Sequence, residues 1–175
     1  MTEKQVVIII SSDSSFKGLR EDRSGPEAER ILTEYGGYRV REIRILPDDR
    51  TVLADAMREI ADSGAADLIL TSGGTGFSPR DVTPEATEDV TERRVPGIPE
   101  AIRMNSMQYT NRACLSRAAA GIRGRTLIVN LPGSPKAVRE SLEFLLPALG
   151  HGLEILSGEA GNCGSDAAPS GKESR

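Results

Sequence analysis

Residues 67–86 read DLILTSGGTGFSPRDVTPEA. The opening DLILT is a short apolar run of the kind expected in a strand buried on both faces. Three glycines follow almost at once, Gly73, Gly74 and Gly76, set among the hydroxyls of Thr71, Ser72 and Thr75. Thr83-Pro84-Glu85 then predicts a fresh helix, with Thr83 as its cap and Pro84 in its first position. Glycine loses more backbone freedom on folding than any other residue, so this density implies that something must approach the backbone closely.

The same strand–loop–helix order extends outward in both directions. Upstream, QVVIII (5–10) predicts a buried strand, and a polar loop, SSDSSFKGLRED, follows. Ser24-Gly25-Pro26-Glu27 fits a capping box. Ala28, Ile31, Leu32 and Tyr35 form that helix's apolar stripe, and Gly36-Gly37 stops it. YRVREIRIL (38–46) alternates apolar and charged residues, which predicts a strand nearer the sheet edge. PDD (47–49) precedes a helix with Val52, Leu53, Ala56, Met57 and Ile60 on one face, ended by Gly64. Downstream, a helix is expected from about Pro99. RTLIVNLPG (125–133) reads as a strand into a tight loop, and Ser134-Pro135 opens a last helix carrying Val138, Leu142, Leu145, Leu146 and Leu149. Alternating strands and helices predict an α/β fold, a mostly parallel sheet between helical layers. Residues 1–156 read as one domain, and 157–175 as a disordered tail by composition.

Composition narrows the function. The chain has 175 residues, 27% of them charged, with a net charge of −4. That balance opposes non-specific nucleic-acid binding. Aromatic residues are 3% and Trp is absent, so base-stacking platforms are not expected. The apolar run near the start is too short for a signal peptide or a membrane span, which predicts a cytoplasmic protein with no membrane partner. Cys114 and Cys163 show no metal-ligand spacing, and the single histidine, His151, cannot build a histidine metal site. Cys114 reads as a small buried hydrophobe, and Met104 and Met107 as helix packing.

In open parallel sheets, ligands bind beyond the carboxyl ends of the strands. The corresponding loops are SSD (11–13), PDD (47–49), TSGGTG (71–76) and NLPGS (130–134). Small residues in TSGGTG let successive amides converge on an anion. The pattern is neither a dinucleotide fingerprint nor a P-loop, and a tightly packed connector accounts for the glycines equally well. NLPGSP adds a helix N-terminus, which also favours an anion. Asp48, Asp49 and Asp81 lie at or just after strand ends. Carboxylates beside a phosphate site point to a hard cation such as Mg²⁺. Taken singly, Asp48 or Asp49 could cap the next helix, and Asp81 could serve a turn or pair with Arg80. Arg80, Arg112, Arg117, Lys17 and Lys136 could meet phosphates, but each reads more simply as solvated surface.

GGTGFSPRDVTPEAT resembles the signature of the molybdenum-cofactor biosynthesis family that includes the bacterial MogA and MoaB proteins and domains of gephyrin-like fusions. ISSDSSFKGLREDRSGP, ILPDD, LSRAAAGIRGRTLIVNLPGSPKAV and HGLEIL resemble further family segments in the same order, over about residues 5–156. The resemblance implies a molybdopterin-binding-domain-like fold and Mg²⁺- and ATP-dependent adenylylation of molybdopterin with pyrophosphate release. It makes Asp48 and Asp81 the catalytic, metal-holding carboxylates. It places Ser72, Gly73, Gly74, Thr75 and Gly76 at the phosphates, Ser116 and Asn130 on the pterin, and Pro132, Gly133 and Ser134 on the same cleft, with Asp13 ordering the site. It also implies a homo-oligomer, a trimer or a hexamer, and transient contact with a molybdenum-insertion protein. The alternative it leaves open is a non-catalytic MoaB-type pterin-binding or assembly protein.

Overall fold

The structure, a computed structural model, describes residues 3–158. The strands are β1 (Lys4–Ser11), β2 (Tyr38–Leu46), β3 (Leu68–Ser72), β4 (Arg93–Arg94), β5 (Ala120–Arg123) and β6 (Thr126–Leu131). The helices are α1 (Asp13–Phe16), α2 (Ser24–Tyr35), α3 (Arg50–Asp62), α4 (Thr83–Val90), α5 (Gly97–Ser106) and α6 (Pro135–Ser157), with a 3-10 turn at Asn111–Leu115. The sheet order is β2-β1-β3-β6-β5-β4. Pairs β1–β2, β1–β3 and β3–β6 are parallel, while β5–β6 and β4–β5 are antiparallel.

Strand side chains alternate between faces. Val6, Ile8 and Ile10 of β1 join Leu68, Leu70, Val129 and Leu131 against α2 and α6 on one face. Val7 and Ile9 join Ile69 and Ile128 against α3 and α4 on the other. The result is the expected three-layer α/β/α arrangement. β1 and β3 are paired on both sides, which is why their sequences are near-continuously apolar. β2 lies at the edge, as its alternation predicts.

Several local expectations are corrected. The loop after β1 contains α1, whose Ser15 amide donates to Ser12 Oγ at 3.2 Å. The capping box at Ser24 does not form. Asp22 accepts from the amides of Ser24 and Gly25 at 2.9 and 3.0 Å, leaving the Ser24 hydroxyl to donate to Gly133 O at 2.8 Å. Thr83 is inside α4 rather than capping it, and its buried Oγ1 has no partner among the described residues. β4 and β5 lie outside the expected elements, because strands of two and four residues, RR and AGIR, are too short to carry a periodic signal. Cys114, Met104 and Met107 are exposed, not packed. α6 extends through Ser157 with Gly158 as its C-cap, and the expected tail beyond Gly158 lies outside the described residues.

Candidate active site

The parallel strands β2, β1, β3 and β6 deliver their C-terminal loops to one end of the sheet. Asp48 and Asp49 separate their roles there. Asp49 Oδ1 accepts from the amides of Thr51 and Val52, both at 3.0 Å, and caps α3. Asp48 points the other way. Its Oδ1 accepts from Ser11 Oγ at 2.6 Å and its Oδ2 from the Asp13 amide at 2.9 Å. The Asp48 amide donates back to Asp13 Oδ1 at 3.1 Å. Arg80 binds Asp13 through both Nε and Nη2, with Nη2 2.8 Å from Oδ2. The Asp48 amide, then Arg80, hold the Asp13 carboxyl below its ordinary range against the opposing pull of partial desolvation.

Backbone crowding shapes the next loop. Gly73 has φ +96°, and a Cβ there would lie 2.4 Å from Ser11 O. A Cβ on Gly133 would lie 3.3 Å from Gly73 Cα. The loops after β1, β3 and β6 therefore touch through backbone, which only glycine permits at Gly73. Ser72 Oγ donates to Pro132 O at 2.8 Å and ties the second and third of these loops together.

Asp81 Oδ2 accepts from the Ser78 amide at 2.9 Å, and the Asp81 amide donates to Ser78 O. Asp48, Asp81, Ser72, Gly73, Gly74 and Gly133 all line one polar cavity of about 200 Å³, together with Ser11, Arg20, Asp22 and Ser24. Thr75, Gly76, Ser116, Pro132 and Gly133 line an adjoining, mostly apolar cavity of about 260 Å³, walled by Ile102, Ala113, Leu115 and Ala137. Ser106 lines this second cavity, and its buried Oγ has no partner among the described residues. Gly133 belongs to both cavities. Ser134 caps α6 by accepting from the Ala137 amide at 3.2 Å, and lines a third, open cleft with Arg20 and Arg23.

Asn130 stands apart from the other expected site residues. It is 0% exposed, and its Nδ2 donates to Thr71 Oγ1 and Thr87 Oγ1 at 2.9 and 2.8 Å. Its Oδ1 accepts from the Ala119 amide at 3.0 Å. Asn130 therefore holds β6 to β3, α4 and the chain before β5 from beneath the cleft, and does not face it. Sequence reasoning also passed over Ser11, Asp22, Arg20 and Arg117. Asp22 carried a usable signal, an aspartate two residues before a Ser-Gly-Pro helix start. Arg117 was read as solvated surface, but its guanidinium is bonded into the glycine loop.

Residues 7–151 match the family described as "Probable molybdopterin binding domain". The chain belongs to that family. Among relatives, the molybdopterin adenylyltransferase of Helicobacter pylori is 40% identical over 152 residues, covering 86% of each chain. That of Escherichia coli K12 is 36% identical over 152 residues, covering 86% of this chain and 78% of the relative. The crystal structure of the molybdopterin biosynthesis enzyme MoaB from Thermus thermophilus superposes with a TM-score of 0.83 at 45% identity, covering 89% of this chain and 97% of that one.

The family resemblance implies a divalent cation, and the two carboxylates that would hold it reach one cavity. Asp48 and Asp81 line the same cavity, while no cluster of three or more Asp, Glu, His or Cys that could hold a metal occurs among the described residues. Two carboxylates without a full protein cage suit Mg²⁺, which keeps waters and takes phosphate oxygens as its remaining ligands. Among the described residues, no helix is long and apolar enough to cross a membrane.

Proposed function

We propose that this protein adenylylates molybdopterin, using ATP and releasing pyrophosphate, in molybdenum-cofactor biosynthesis. The observation that carries the reading is the convergence of Asp48, Asp81 and the Gly73-Gly74 turn on one polar cavity beside an apolar one. The names of the adenylyltransferase relatives support it.

The reaction joins two anions, a phosphate monoester and the α-phosphate of a nucleotide. The protein must align them and offset their repulsion. The glycine loop brings backbone amides close to the phosphates, because no side chain stands between them and the cavity. Asp48 and Asp81 would hold Mg²⁺, which when bound supplies positive charge to the phosphate oxygens. Asp13 orders Asp48 through the reciprocal amide–carboxylate bonds. Arg20 reaches the cavity wall and makes no ion pair among the described residues, so it is available to a phosphate. The apolar cavity, with Ser116 and the unpartnered Ser106 hydroxyl on its wall, suits the flat, polar-edged pterin. Exposed Met104, Met107, Tyr109 and Leu115 support a homo-oligomer, which we take to be a trimer.

Pyrophosphate release from purified protein given Mg-ATP and molybdopterin tests the proposal. Asp81→Asn is expected to lower turnover by at least about 10²-fold while leaving the melting temperature unchanged. Near-normal turnover in that variant refutes the assignment. Pterin binding without pyrophosphate release by the natural protein supports the non-catalytic MoaB-type reading instead.

A further inference from the structure

Arg117 follows Ser116 directly and stands at the edge of the site, where an arginine would ordinarily be assigned to a substrate phosphate. Its bonds say otherwise. Nε donates to Gly76 O at 2.7 Å, and Nη2 donates to Asp81 O at 2.6 Å. Nη1 forms an ion pair with Glu85 Oε1. The Arg117 amide donates to Thr75 O at 2.9 Å. All three guanidinium nitrogens therefore donate to the segment from the glycine loop to the first turn of α4.

We propose that Arg117 is a positioning residue that sets the direction of the Asp81 carboxylate relative to the glycine loop. Gly76 and Asp81 are the two ends of the turn GFSPRD, and one rigid guanidinium grips the carbonyl of each. The turn is too tight to tolerate slack. A Cβ on Gly76 would already lie 2.9 Å from Asp81 Oδ2, so the two ends approach at contact distance. Apart from the Ser78 amide bond, Asp81 has no side-chain hydrogen bond among the described residues to fix its carboxylate. Its direction therefore depends on where its own backbone is held. Glu85 holds the guanidinium in register, and its other oxygen, Oε2, is buried without a partner among the described residues. A guanidinium presents five donors in a planar fork, while an ammonium is a single point charge. Lysine at 117 cannot grip both carbonyls and the Glu85 carboxylate in this geometry.

This inference rests on adenylyl transfer being the reaction, and two readouts separate the claims. The first is steady-state turnover of Arg117→Lys and of Glu85→Gln with Mg-ATP and molybdopterin. The second is hydrogen exchange of the amides of residues 74–85 in the ligand-free protein. For Arg117→Lys we expect kcat to fall about 10²-fold, since a displacement of about 1 Å at a reacting centre costs that much. KM for ATP is expected to stay unchanged, and exchange between Gly76 and Asp81 to quicken. Glu85→Gln keeps an accepting oxygen and is expected to show the same pattern in weaker form. A raised KM with unchanged kcat would make Arg117 a phosphate contact and overturn the proposal. Unchanged exchange in both variants would overturn it as well, whatever the turnover. If the natural protein releases no pyrophosphate, the adenylyl-transfer reading fails, and the exchange data alone decide whether Arg117 fastens the turn.

Discussion

Alanine at Gly73 and alanine at Gly76 are expected to damage different properties, although the two positions share one loop. At Gly73 the backbone has φ +96°, and a new Cβ would stand 2.4 Å from Ser11 O. Ser11 ends β1 and pairs with Leu46 in the sheet, so backbone would have to yield. The unfavourable φ costs about 1–3 kcal/mol, and overpacking adds about 1–3 kcal/mol. For a domain of this size each kcal/mol lowers the melting temperature by about 2–4 °C, so a loss on the order of 10 °C is expected. At Gly76 a new Cβ meets the tip of a side chain, Asp81 Oδ2, at 2.9 Å, where ordinary contact begins at 3.4 Å. The carboxylate must retreat by about half an ångström and pull away from its bond to the Ser78 amide. A displacement of about 1 Å at a reacting centre can cost about 10²-fold, so half of that predicts a loss of about tenfold. Gly76→Ala should therefore lose turnover about tenfold while its melting temperature moves by only about 2–4 °C. Differential scanning calorimetry and pyrophosphate release measure the two effects separately. An unaltered melting temperature in Gly73→Ala refutes the close approach of this loop to β1. Unaltered turnover in Gly76→Ala refutes a reacting centre at Asp81.

Three further predictions concern buried and paired groups. The Asp13 carboxyl is held below its ordinary value of 3.8, first by the Asp48 amide and then by Arg80. Its contribution to stability is therefore present above pH 3.8 and disappears as the pH falls through the lowered value, so Asp13→Asn should flatten the acid limb of the stability curve in that window. Burial, with the charges of Tyr35 and Glu154, pushes the Tyr38 hydroxyl from 10.0 up to about 12. Stability should hold below pH 10 and decline as the pH rises through 12; Tyr38→Phe should abolish that decline and leave the neutral-pH melting temperature unchanged or higher, because the hydroxyl has no partner among the described residues. Thr83→Val replaces another buried, unpartnered hydroxyl with a methyl group of similar shape, and thermal melting should show no loss of stability; a drop of more than about 1 kcal/mol would mean that the hydroxyl is bonded in the folded protein.

Most of the architecture could be read along the chain because its signals are local. Strands buried on both faces read as near-continuous apolar runs, and VVIII (6–10), LIL (68–70) and LIV (127–129) are such runs. α4 and α6 open on Thr-Pro and Ser-Pro, and Gly36-Gly37 ends α2 with both residues at positive φ. The strand-end loops followed from that order, and so did the region of the site. β4 and β5 were not legible, because AGIR and RR owe their extended form to pairing with β6 and with each other rather than to any pattern of their own.

Residue by residue, the site divides the same way. Neighbouring Asp48 and Asp49 are indistinguishable as letters, and both precede a helix. Only the fold brings Ser11 and the Asp13 amide to one carboxylate, while the amides of α3 take the other. Asn130 lies in a loop-like motif, yet it pairs with Thr71 in the sheet, and β-pleating turns its side chain under the cleft. Arg117 looks like any surface arginine until the chain closes and places two carbonyls and a carboxylate around it. Apolar strand runs, glycine loops and the alternation of strands with helices depend on neighbours in sequence, so the sequence alone carried them. Which polar atom faces the cleft depends on partners brought together from distant parts of the chain, so only tertiary structure could decide it.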